Sequence, residues 1–327
     1  MNKKKVVLIV LLSILIVTIV SICIIGIVLR NGKNSKSEIE NNALEGIVVN
    51  ESKNYEKLNI MTSQDGDVGI KVDSEGQTQI NEGAIEAKGA VAIYSKGTAN
   101  LINSYAISQN YPAIVIEDNG IVTLDTSDII SSGKGSKNEQ IEDAGIFLYS
   151  LNSNADSISK FTSVNSMVSI DNESEFFNSS PMFLVKNTKS EINLENNMIT
   201  YGSGILLKAK GENTQVTINT KMQNLEGNII ADDGGILNIN LLNETNYMGA
   251  INSENVAKEV NINISSNSLW MVTNDTYITT ITVEDESLNN IMSGGNNIYY
   301  DSSNEKNAWL GGQTILLNGA GYLMPKK

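Results

Sequence analysis

From about residue 46 to near the C-terminus, short apolar runs alternate with polar turns in a recurring unit. The unit is an apolar pair, a polar turn that often contains Gly, and then a second apolar position inside an apolar–polar–apolar triplet. Ile70 and Val72 lead through Gly76 to Ile80, and Val91 and Ile93 lead through Gly97 to Leu101. Ile114 and Ile116 lead through Gly120 to Val122-Thr123-Leu124, and Ile229 and Ile230 lead through Gly234 and Gly235 to Leu237-Asn238-Ile239. Alternation of this kind predicts short strands with one face buried. The final apolar positions Ile80, Leu101, Leu124, Leu194, Ile218, Ile239, Ile262 and Val283 are spaced 21, 23, 70, 24, 21, 23 and 21 residues apart.

A strand pattern with a period of 20–25 residues predicts a β-solenoid. Leucine-rich repeats share the period but need a fixed Leu/Asn consensus that is missing here, and a β-sandwich would alternate without a fixed period. A parallel β-helix fits best, each coil stacking on the last at about 4.8 Å with Val, Ile and Leu laddered inside. Asn and Thr between them should face solvent or stack as polar ladders. About 250 residues at roughly 22 per coil give about 11 coils and a rod about 50 Å long. The gap of 70 residues is near three periods, so two irregular rungs are expected inside it. Residues 131–143 read as an inserted surface loop, and residues 151–180 as an irregular stretch with Phe161, Phe176 and Phe177. Trp270 is expected to pack or cap. Both rod ends need covers, one near the linker and the other at 311–322 with Trp309.

The N-terminus is of another kind. Residues 6–29 are a 24-residue run without a charge, long enough to span the roughly 30 Å hydrocarbon layer. A cleaved signal peptide would have a shorter apolar core and a small-x-small site, and residues 25–29 offer none. The expected organisation is a cytoplasmic tail at 1–5, a single transmembrane helix at 6–29, a linker at 30–45 and an extracellular domain at 46–327 with a C-terminal cap from about 300. Basic residues flank the run on both sides, so orientation follows from size. A five-residue tail stays inside more readily than a domain of nearly 290 residues crosses back. The only Cys, Cys23, lies within the apolar run, so the external domain has no disulfide.

The segment Ser268-Leu-Trp-Met-Val-Thr-Asn-Asp-Thr-Tyr-Ile-Thr-Thr-Ile-Thr-Val283 resembles the W-x-V/L-T-x-D-S-x-V-x-x-L rung of bacterial adhesin-like β-helix proteins, with Thr276 in the Ser position. Pro181-Met-Phe-Leu-Val-Lys-Asn-Thr and Leu225-Glu-Gly-Asn-Ile-Ile-Ala-Asp-Asp are similar to rungs of large clostridial surface proteins of pectate-lyase-like shape. The resemblance covers roughly residues 45–325. It implies an all-β, right-handed parallel β-helix and an adhesin-like or carbohydrate-binding role, with polysaccharide lyase or glycoside hydrolase activity as the alternative.

Charge and composition narrow the chemistry. Residues 1–36 carry five Lys and one Arg with no acid, and the rest carries 17 Lys against 37 acids, a net charge of −20. Such a domain repels nucleic acid, so no nucleic-acid partner is expected. The 44 Asn, the many Lys and Ile and the single Arg are typical of AT-rich bacterial genomes. The absence of His excludes a Ser/His/Asp or Cys/His triad and a Cys/His zinc site. An Arg base is excluded from the domain because the one Arg is Arg30. A Lys base would have to come from residues such as Lys186, Lys208 or Lys210. Glycosidases need clustered carboxylates. The acidic pairs Asp65, Asp67, Asp73, Glu75 and Asp232, Asp233 are calcium candidates, since calcium wants about six to eight oxygens. Tyr277, Tyr299, Tyr300, Trp309 and Tyr322 cluster late in the chain and are the candidate carbohydrate contacts. The expectation is a non-catalytic protein anchored in the cell membrane by residues 6–29. It should bind polysaccharide or a cell-envelope or host-surface ligand, with a passive envelope scaffold as a further alternative.

Overall fold

A computed structural model describes residues 42–43, 45–137, 140–151, 157–211, 213–232 and 234–326. Among them the protein is an all-β parallel solenoid of about 12 turns. Its one helix is the short 3-10 segment Glu305–Leu310. No helix among these residues is long and apolar enough to cross a membrane. The apolar run at 6–29, the expected tail and most of the linker lie outside the described residues.

Over most of the solenoid each turn contributes one strand to each of three faces. In the first, Ile47–Val49 lies on face one, Ser52–Glu56 on face two and Asn59–Thr62 on face three. Ile70–Val72, Gln77–Asn81 and Ala84–Ala87 repeat the circuit and pair in parallel with their predecessors. Face two runs unbroken through ten strands. Face three breaks between Met198–Thr200 and Asn224–Glu226, and face one between Asn228–Ala231 and Thr276–Ile278.

Burial follows the pleat. Ile70, Ile93, Ile114, Ile146, Phe183, Leu207 and Ile229 stand in register down face one and are all buried. On face two the inward columns are two residues apart on the same strands, and this corrects the spacing read from the sequence. Ile80, Leu101, Leu124, Leu194 and Val283 share a column with Ser163, Thr220, Leu241 and Ile264. Ile218, Ile239 and Ile262 stand in the neighbouring column with Phe161, Ile192 and Ile281. Because both columns are mostly apolar, the pattern is degenerate by two residues.

The gap between Leu124 and Leu194 holds one rung, Ser163, where two were expected. Insertions at the corners lengthen these turns while the strands keep their register. The irregular stretch is narrower than the sequence suggests, since Ile158–Val164 and Met167–Ile170 are regular strands. The count of turns is about 12, where 11 were expected. The last turns, through Ile298–Tyr300 and Tyr322–Pro325, carry no clear period.

Corners are built from recurring devices. Between faces two and three, Lys57, Glu82, Asn103, Thr126, Asn165, Asn196, Met222 and Asn243 each adopt the left-handed region with φ of 47–52°. Side-chain oxygens run along the inside of this corner. Ser104 Oγ accepts Gly83 N, Ser127 Oγ accepts Ser104 N, Ser166 Oγ accepts Ser127 N, and Asn197 Oδ1 accepts Ser166 N, at 2.8–3.1 Å. Between faces one and two the chain passes so close to itself that a Cβ on Gly97 would lie 2.2 Å from the Gly76 carbonyl oxygen. On the outside of face two, amides form a ladder. Asn240 donates to Asn219 at 2.7 Å, Asn219 to Asn193 at 2.8 Å and Asn193 to Thr162 at 3.2 Å.

The last strand of face two, Thr280–Val283, is covered by the helix Glu305–Leu310. Asn307 Oδ1 accepts Ile281 N at 3.1 Å, Asn307 Nδ2 donates to Thr279 O at 2.8 Å, and Trp309 Nε1 donates to Ile281 O at 3.2 Å. Two side chains thus satisfy edge groups that another strand would otherwise take. Trp270 is fully buried, donates to Gly249 O at 3.0 Å and stacks on Tyr247.

Candidate functional site

A hollow of about 660 Å3 opens on face one near the N-terminal end. Its floor is an outward column. Val48, Lys71 and Tyr94 are the central residues of three-residue strands whose neighbours turn inward, so they point out in register. The column continues as Val115, Phe147 and Leu184. These also point outward, yet they are buried. The described parts of the inserted loop, 132–137 and 140–145, fold back over them, and Ile141 and Ala144 complete a second apolar cluster outside the solenoid. Where this cover stops, the hollow begins, walled by Val91, Ile141 and Tyr149.

The loop is pinned at its far end. Glu142 accepts Lys186 Nζ at 2.6 Å and Lys210 Nζ at 2.7 Å, one on each carboxylate oxygen. Partial burial alone would raise the Glu142 carboxyl, but the two ammonium hydrogen bonds outweigh it and hold the group below the usual range. Within the loop, Ser136 and Ile141 exchange backbone hydrogen bonds at 2.7 and 3.0 Å.

The hollow has a polar corner around Glu117, whose side chain is only 3% exposed. Lys96 Nζ donates to Oε1 at 2.9 Å. Tyr149 donates to Oε2 at 3.1 Å, and the Tyr94 hydroxyl donates to the same oxygen. The two phenol oxygens are 3.0 Å apart. A buried carboxylate is tolerable only when its lone pairs are met in this way. Burial, reinforced by Glu117, pushes the Tyr94 phenol far above its ordinary value. Burial pushes Tyr149 up to about 12. Both are therefore hydrogen-bond donors at neutral pH and not bases. The site offers phenol faces and hydroxyls, the cations Lys71 and Lys96, and a fully engaged carboxylate.

The residues expected from sequence lie elsewhere. Tyr277 and Tyr299 stand in register on face one near the C-terminal end and stack at 4.7 Å, with Lys326 Nζ 6.0 Å from the Tyr277 ring. Tyr300, next in the strand, points inward and is fully buried with its hydroxyl on Gln313 O, so it is out of reach of a ligand. Trp309 and Tyr322 are partly exposed, at 38% and 43%. The five do not converge on one hollow. Asp65 and Asp67 occupy the corner before Ile70–Val72, and Asp73 and Glu75 the corner after it, so a whole strand separates the two pairs. Asp232 follows the strand Asn228–Ala231, and Asp233 lies outside the described residues. Among the described residues no three carboxylates gather as a metal-binding group. Lys186 and Lys210 are in register and both engage Glu142, whereas Lys208 stands in the column of Leu184 and Ile230.

Sequence reasoning missed Tyr94, Glu117 and Tyr149 because they are 23 and 32 residues apart and belong to three turns. The available signal was Glu117 itself, an acid in the strand Ile114–Glu117 whose other residues are all apolar. The fold and this hollow define a parallel β-solenoid with a lateral, tyrosine-lined groove. No family model, curated protein or solved structure matches the chain.

Proposed function

We propose that this protein is a bacterial cell-surface β-helix, anchored by residues 6–29, that binds carbohydrate without catalysis in an adhesin-like manner. The observation that carries the reading is the groove on face one, where the phenol pair Tyr94 and Tyr149 and two Lys, Lys71 and Lys96, line an open hollow of about 660 Å3. Sugar recognition uses such a surface, with ring faces for C–H edges and fixed polar groups for hydroxyls. The protonated tyrosines and the carboxylate with three donors speak for binding over base catalysis. The stacked Tyr277 and Tyr299 offer a second contact strip on the same face. Right-handed winding follows from the strong handedness of parallel crossovers, about 98% of cases.

The test is retention of the detergent-solubilised chain on polysaccharides, cell-wall fractions and host matrix, with reducing ends and unsaturated products assayed in parallel. Retention without product is the expected result. Retention with product would make the protein a lyase or hydrolase, and no retention on any of them would remove the binding reading.

A further inference from the structure

Face three resumes at Asn224–Glu226 with a column of one acid and three methionines. Glu226, Met248, Met271 and Met292 stand in register on four successive strands. The residue before each Met is buried (Tyr247, Trp270 and Ile291), so all three thioethers lie on the outer side. Met271 and Met292 are 37% and 41% exposed, and Met248 is half-buried. Parallel neighbours sit about 4.8 Å apart, and methionine has three rotatable bonds and a polarisable sulfur. Three adjacent sulfurs on such a ladder are able to turn onto one ion. Beside them Met248 and Met271 border a hollow of about 350 Å3 that Glu226 also lines, which leaves room and a negative charge for a cation.

We propose that Met248, Met271 and Met292 form a binding site for a soft monovalent cation, Cu(I) or Ag(I). Thioether sulfur selects such ions over calcium, magnesium or zinc. The chain has no His, and its only Cys is Cys23, so the described residues hold no soft donor other than Met. Thioethers carry no proton to displace, so binding is independent of pH where thiol or imidazole sites are not.

The experiment is an Ag(I) titration of the detergent-solubilised full chain, carrying Cys23→Ser, in chloride-free buffer. It is followed by calorimetry and by the methyl resonances of the ten methionines. The expected result is one equivalent bound, three methyl signals shifted, and no change in affinity between about pH 5 and 8. Met271→Leu, which keeps the side-chain volume, should weaken binding by about tenfold or more. Met61→Leu, at an exposed position outside the column, should leave it unchanged. Shifts spread over Met61, Met198 and Met222, equal affinity in Met271→Leu, or no binding would each overturn the site. Cu(I) under anaerobic, reducing conditions should repeat the Ag(I) result.

Discussion

Ser127 shows how single residues close this fold. Its Oγ takes the Ser104 amide at 3.1 Å and donates to Asp125 O at 2.9 Å, in a corner where the side chain is 1% exposed. Ser127→Ala should strand the Ser104 amide and cost about 1–3 kcal/mol in chemical denaturation. Beside it, Thr126 holds a φ of 50° that a β-branched residue tolerates poorly. Thr126→Asn should stabilise by roughly 1 kcal/mol in the same assay. The groove tyrosines give a pH prediction. A phenol whose folded value is raised contributes stability that is complete below its ordinary value near 10. That contribution disappears as pH climbs through the folded value, about 12 for Tyr149. Ultraviolet titration should show Tyr94 and Tyr149 ionising only after the exposed tyrosines. At this scale the sequence was least legible. It offered the late aromatic cluster as contacts, yet Tyr300 faces the core, because alternation on Ile298–Tyr300 turns only Tyr299 outward. Nothing in a one-dimensional pattern joins Tyr94 to Glu117 and Tyr149 across three turns.

The strands were legible because each carries its own alternation, and the turns because polar and Gly residues recur at the corners. Register was legible only to within two residues. Ile218 and Leu194 both fit the pattern but stand in adjacent columns, and hydrophobicity alone does not separate them. The inserted loop was recognisable as polar sequence, but its docking was not. Ile141 and Ala144 are the only apolar signals that it covers Val115, Phe147 and Leu184. The Glu142 clasp makes the loop pH-sensitive. Its carboxyl is held low in the folded state, so the stabilisation is complete at neutral pH and disappears as pH falls through that lowered value. Protection factors of amides 132–137 and 140–145, referred to the intrinsic exchange rate at each pH, should fall in acid, and Glu142→Gln should produce the same loss of protection at neutral pH. Unchanged exchange in the variant would mean that the apolar contacts alone hold the loop.

As a whole molecule the solenoid is a sum of turns, each touching its neighbours. Residues 215–235 are one complete turn, since Gln215 is in register with Ile236. Their deletion joins Thr214 to Ile236 and should leave a folded, shorter rod by circular dichroism and a cooperative melt. Deletion of 215–225 throws every later strand out of register and should not fold. The rod also accounts for where the groove is. An acidic domain of net charge −20 gathers Lys71, Lys96, Lys186, Lys208 and Lys210 on face one, beside the loop that shapes the hollow. The direct test of a carbohydrate groove on this face is glycan retention of the full chain compared with Tyr94→Ala and Lys71→Ala, with Asn240→Ala on face two as the control. The account predicts that both groove variants lose about tenfold in affinity, roughly 1.4 kcal/mol, while the control binds as the parent does. Parent-like retention by both groove variants would contradict it.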